Sequence, residues 1–196
     1  MRRKRHKEPG NRHAKAMAWV VAALMVFSVL GVVLDYSFSN KMKYGKQTFQ
    51  LTSEGQYITV VGDKRLAFNY FPSELEGINL SADAKAMIDS AQMVLVTFNS
   101  TDVAAEDLYY IDFIRFDISQ NFPKDVFLGI EQADDRYPLP LISCTNASYY
   151  APVISLELSN ETALNKEGYC ISVKGEKSEL VRAYERFLYG YYGVMQ

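Results

Sequence analysis

Residues 16–34, AMAWVVAALMVFSVLGVVL, run for nineteen positions without a charged side chain. At 1.5 Å per residue a helix of that length spans roughly 28 Å, close to the roughly 30 Å hydrocarbon core of a bilayer. A buried soluble helix rarely runs so far without a polar break, so the stretch predicts a transmembrane helix over 16–34. Trp19 near one end and Tyr36 at the other suit an interfacial aromatic belt. The alternative is a cleaved signal peptide, whose apolar region is usually shorter and ends in a small-residue site. The one weak site, after Val29-Leu30-Gly31, falls inside the run. The expectation is therefore an uncleaved signal-anchor.

Charge sets the orientation. Arg2, Arg3, Lys4, Arg5, Lys7, Arg12 and Lys15 precede the run and only Glu8 opposes them, so of 21 Lys+Arg and 23 Asp+Glu the remainder of the chain keeps 14 against 22. By the positive-inside rule residues 1–15 form a basic cytoplasmic head. Residues 35–47, polar and without periodicity, then read as a tether, and residues 48–196 as one exported, extracytoplasmic domain of a single-pass cell-membrane protein. An orientation signal explains RRKRHK better than a nucleic-acid patch does, so no nucleic acid is expected as a partner. Ala14, Ala18 and Ala22 form a small-xxx-small ladder that would let two anchors pair as a homodimer.

Cys144 and Cys170 are the only cysteines. In an oxidising compartment two lone cysteines most often form one structural disulfide, the alternative being two unrelated buried thiols. Four Asn-x-Ser/Thr triplets, at Asn79, Asn99, Asn146 and Asn160, all lie beyond the apolar run and are candidate glycosylation sites.

TFQLT, QYITVV and RLAFNYF, separated by SEG and Gly62-Asp63, predict a β-meander. Ser81 is the expected cap of a helix reaching about Ser90, followed by the buried strand MVLVTF over 93–98. A second helix is expected to start at Thr101 or Asp102, with Leu108, Ile111, Arg115 and Ile118 at helical spacing and Pro123 beyond its end. DVFLGIE returns as a strand. PVISLEL (152–158) and YCISVKG (169–175), around a turn at SNET, predict a hairpin, and Ser178 opens a last helix with an apolar stripe. The class is α/β, with order β-α-β-α-β-β-α after the meander.

That order resembles the thioredoxin-like fold, most suggestively at Tyr150-Ala151-Pro152-Val153-Ile154, where the resemblance implies a cis-proline at Pro152. The segments CTNAS, PVI and ERFLYG are also similar to uncharacterised single-pass archaeal membrane proteins. Thioredoxin-like oxidoreductases carry Cys-x-x-Cys after the first central strand. Here that place reads TFNSTDVAAE, so the attacking thiolate is missing.

Other chemistries lack their residues. Both histidines, His6 and His13, precede the apolar run, which leaves the exported domain without a His-activated nucleophile or the commonest transition-metal ligand. Two cysteines cannot complete a zinc site, and no Gly-rich phosphate loop precedes a helix. Neither a metal nor a cofactor is expected. Glu131, Asp134 and Asp135 beside Arg136 are candidate carboxylates that read first as solvated turn charges. Glu106, Asp107, Asp112 and Asp117 read as the polar face of the second helix, with Arg115 as an ion-pair partner. Tyr189, Tyr191 and Tyr192, on more than one side of the last helix, are the expected protein-partner surface. The expectation is a membrane-anchored binding or assembly domain without catalysis. The alternative is a membrane-tethered thiol-disulfide protein using Cys144 and Cys170.

Overall fold

The computed structural model describes residues 12–101 and 103–195, with side chains over 16–30, 40–101 and 103–195. The chain divides into two compact units, Met1–Lys41 and Met42–Gln196.

The first unit contains α1 (Arg12–Ser39). Here the membrane expectation is corrected: among the described residues, no helix is long and apolar enough to cross a membrane. The single-pass topology, the cytoplasmic amino terminus and the extracytoplasmic placement that rested on the span fall with it. The head before Arg12 and the side chains of His13, Ala14, residues 31–34 and Tyr36 lie outside the described residues, so the alanine ladder is described only at Ala18 and Ala22.

The second unit begins within the expected tether. Residues 41–44 are already strand β1 (Lys41–Tyr44), followed by β2 (Gln47–Leu51), β3 (Tyr57–Val61) and β4 (Lys64–Phe68), side by side in that order. The β3–β4 turn needs Gly62, whose φ of +65° suits a tight hairpin.

The remaining elements are α2 (Asp83–Ser90), β5 (Met93–Phe98), α3 (Ala105–Asn121), β6 (Asp125–Leu128), β7 (Val153–Leu158), β8 (Ala163–Glu167), β9 (Cys170–Gly175) and α4 (Ser178–Tyr191). They build a second sheet in the order β6-β5-β7-β9-β8, parallel throughout except for β8. Register gives its two faces opposite characters. Leu128, Val96, Ile154 and Ile171 lie in one apolar row. The next row on the other face is Thr97, Ser155, Ser172 and Asn165. α4 packs on β9 and against α2 and α3. Its far side meets the meander, where Tyr189 stacks on Phe68 at 4.0 Å and touches Phe49 at 6.0 Å.

The chain returns from β6 to β7 without an α-helix, making only a short 3-10 turn at Cys144–Asn146. Residues 129–152 cross the polar face instead: the buried Thr97 Oγ1 donates to the Ile142 carbonyl at 2.6 Å, and Ile130 bridges to Leu141. Gly129 permits this crossing, because a Cβ there would stand 2.6 Å from the Ile142 side chain. Cys144 and Cys170 form a disulfide, Cα–Cα 5.4 Å, that ties this connection to the start of β9.

The predicted element order needs correction. The 152–158 and 169–175 segments are parallel neighbours, not a hairpin; the hairpin is β8–β9. ALNKE escaped notice because an edge strand buries little, here only Leu164. Pro152 is not cis, since no peptide bond among the described residues is. α2 starts at Asp83, with the Ser81 carbonyl accepting from Ala84 N–H and the Ser81 hydroxyl bonded to Asp83. α3 starts at Ala105 because residues 99–101 make a turn of their own, in which the Thr101 N–H donates to Asn99 Oδ1 at 2.9 Å. Asp102 lies outside the described residues.

Candidate functional site

From β5 the chain moves to β6 on one side over the helical face, then back past β5 to β7 over the other face. The strand order therefore reverses between β5 and β7. Connections leaving their carboxyl ends part there, and in an open α/β sheet that is where a crevice forms. A crevice of about 510 Å³ does lie there, lined by Asn99, Thr101, Val103, Ala104 and Asp107 after β5, by Glu131 after β6, and by Leu156, Glu157 and Leu158 of β7.

The walls are firmly placed. Glu131 N–H donates to the Phe98 carbonyl at 2.9 Å, and its Oε1 accepts from Ser155 Oγ at 2.9 Å. Thr101 Oγ1 donates to Gln132 Oε1 at 3.0 Å. Arg136 reaches the Ser100 carbonyl at 2.8 Å and grips Asp134 at 2.7 Å. Its hydrogen bonds hold the Asp134 carboxyl well below the usual range. Next to it Arg115 lies over the rings of Phe98 and Tyr137, at 4.7 and 5.2 Å, and pairs with Asp112 at 2.6 Å. Tyr137 donates to the same Asp112 at 2.9 Å.

Charge is unevenly answered. Lys174 pairs with Glu157 at 3.0 Å and is pushed up mainly by that hydrogen bond; Lys177 stands 3.6 Å from Glu106, whose charge raises it most. Among the described residues no lysine or arginine forms an ion pair with Asp107 or Glu131, and Asp107 Oδ1 is shut from solvent without a hydrogen-bond donor. Among the described residues no group of three or more His, Cys, Asp or Glu is placed to hold a metal ion. The crevice offers carboxylate acceptors beside the apolar side chains of Val103, Ala104 and Leu158.

Of the carboxylates singled out in the sequence, Glu131 faces the crevice, Asp134 is spent on Arg136 and Asp135 is exposed. Asp112 pairs with Arg115 as the spacing implies, and Asp117 accepts from Tyr184. Asp107, taken for helix surface, is a crevice residue; its place in the first turn after a buried strand was the available signal. Asn79, Asn99, Asn146 and Asn160 are all exposed, and Asn99 stands on the crevice rim.

The tyrosine expectation is corrected. Tyr189 and Tyr191 are 0% and 6% exposed and Tyr192 is half-buried. α4 lies between two sheets, so tyrosine around several sides marks burial on several sides. Exposed aromatics elsewhere in the second unit include Tyr109 and Phe116 on α3, Phe127 on β6, and Tyr149, Tyr150 and Tyr169 near the disulfide, with Tyr149 ring contacts to Tyr150 and Tyr169 at 5.2 and 6.1 Å.

Comparison with protein-family models, curated proteins and solved structures gave no match.

Proposed function

We propose that residues 42–195 are a binding domain that receives a basic segment of a protein partner in the crevice beyond β5 and β7. The supporting observation is the pair Asp107 and Glu131, two carboxylates at the strand-order reversal: neither forms an ion pair with a described lysine or arginine, Asp107 Oδ1 has no hydrogen-bond donor, and the nearby Lys177 acts on Asp107 only through its charge. A ligand ammonium or guanidinium would supply the hydrogen-bond donor that Asp107 Oδ1 lacks. Leu158, half-buried at the end of β7, offers the aliphatic stem of such a side chain an apolar contact.

Binding also accords better than thiol exchange with the cysteines. Cys144 is exposed, but its partner Cys170 is 3% exposed at the head of a central strand, so only one sulfur of the pair is open to exchange.

The test is titration of the full chain with tetralysine, followed by amide chemical shifts. The expected shifts cluster at Thr101, Val103, Glu131 and Glu157, weaken with salt, and require about tenfold more peptide in the Asp107→Asn/Glu131→Gln variant. Shifts elsewhere, or a variant that binds as the parent does, would overturn the reading.

A further inference from the structure

A second cavity, of about 120 Å³, lies between β4, the carboxyl end of α3 and α4, and shares no lining residue with the crevice. Four aromatic residues line it: Phe68, Phe122, Tyr184 and Tyr192. Two charges complete it, Asp117 on α3 and the exposed Arg65 on β4.

The anionic end is built. Asp117 Oδ2 accepts from the buried Tyr184 hydroxyl at 2.6 Å, and Oδ1 accepts from Asn121 Nδ2 at 2.7 Å. Tyr192 is turned the same way, its hydroxyl donating to the Asn121 carbonyl at 3.3 Å. Both phenols are therefore committed to acceptors and stay neutral, with burial as the first cause raising each.

Each property of this space narrows its occupant. Its volume admits about five or six non-hydrogen atoms, judged against the roughly 150 Å³ cavity that holds benzene. Ring faces carry negative potential and attract cations, most strongly where water is excluded. Asp117 adds a formal negative charge, so an anionic head is disfavoured. A plain hydrocarbon would leave both Asp117 and Arg65 facing apolar surface at a desolvation cost. Arg65, at the exposed side, suits a carboxylate carried a short distance from the cation.

We propose that this cavity binds a compact zwitterion of the betaine class: its methylated ammonium sits among the four aromatic residues beside Asp117, and its carboxylate meets Arg65. The quaternary head has about five heavy atoms, which matches the space, and it needs no hydrogen-bond acceptor, which matches a carboxylate already engaged by Tyr184 and Asn121.

The test uses three probes on the full chain: glycine betaine, its neutral-headed isostere 3,3-dimethylbutanoate, and choline, which keeps the cation and lacks the carboxylate. Binding is followed by calorimetry and by the ring proton signals of Tyr184 and Tyr192. Betaine is expected to bind and shift those signals, and the isostere to bind about tenfold more weakly. Arg65→Gln, an exposed strand position, is expected to weaken betaine about tenfold and leave choline unchanged. Equal binding of the isostere, an Arg65→Gln variant that holds betaine as the parent does, or no shift with betaine at about 100 mM would each overturn the proposal.

Discussion

The carboxylate of Glu185 accepts two hydrogen bonds from Asn69, from its backbone N–H at 2.8 Å and its side-chain amide at 2.7 Å, while its other oxygen accepts from Tyr70 N–H at 2.9 Å. Glu185 is 3% exposed, so one charge buried on α4 pins the end of the meander. Burial pushes its pKa up to about 7, overriding three hydrogen bonds that favour the ionised form.

The sign of the pH effect follows. The group titrates at about 7 folded and near 4.5 unfolded, so the folded state holds its proton longer. Its contribution to stability is full below pH 4.5 and is lost as pH rises to 7, by on the order of 3 kcal/mol. Glu185→Gln should flatten the stability profile across that window relative to the parent, as read by urea denaturation at several pH values. Parallel profiles for the two proteins would refute the assignment.

Reducing the Cys144–Cys170 bond, or replacing both residues with serine, should cost about 3–4 kcal/mol, since the bond closes a loop with a sequence separation of 26. Denaturation midpoints with and without dithiothreitol measure this. An unchanged midpoint would mean that the connection over the sheet holds without its staple.

Thr97→Val preserves shape but removes the donor to the Ile142 carbonyl, a contact on which the β6–β7 connection rests. A loss of about 1–3 kcal/mol is expected, with faster proteolysis between residues 129 and 152. A variant as stable and as protease-resistant as the parent would show that the connection is held elsewhere.

Tyr189→Ala should act on folding rather than on partner binding. The ring stacks on Phe68 and its hydroxyl donates to the Tyr70 carbonyl at 2.9 Å, so truncation should cost about 3–5 kcal/mol. A folded, equally stable variant would restore the case for a tyrosine interface on α4.

Much of the secondary structure was legible because it is set locally. MVLVTF is an uninterrupted apolar run, and Leu108, Ile111, Arg115 and Ile118 recur at helical spacing; both appear as read, as β5 and in α3. The pairing of the two cysteines was legible from their number, and the structure joins them. The apolar run at 16–34 was read as a span, whereas among the described residues no helix is long and apolar enough to cross a membrane.

By itself, then, the sequence determined strands and helices with a strong local pattern, such as β5 and α3, that Cys144 had one partner available, and that no histidine follows residue 13. Only the tertiary structure decided that β7 and β9 run parallel, because alternation along a strand is satisfied equally by either direction of its neighbour. Only it decided that α4 is covered by two sheets, which turns Tyr189 from a surface candidate into core. The crevice is of the same kind: Asn99, Asp107, Glu131 and Glu157 belong to separate segments, and they share one wall because the strand order reverses between β5 and β7.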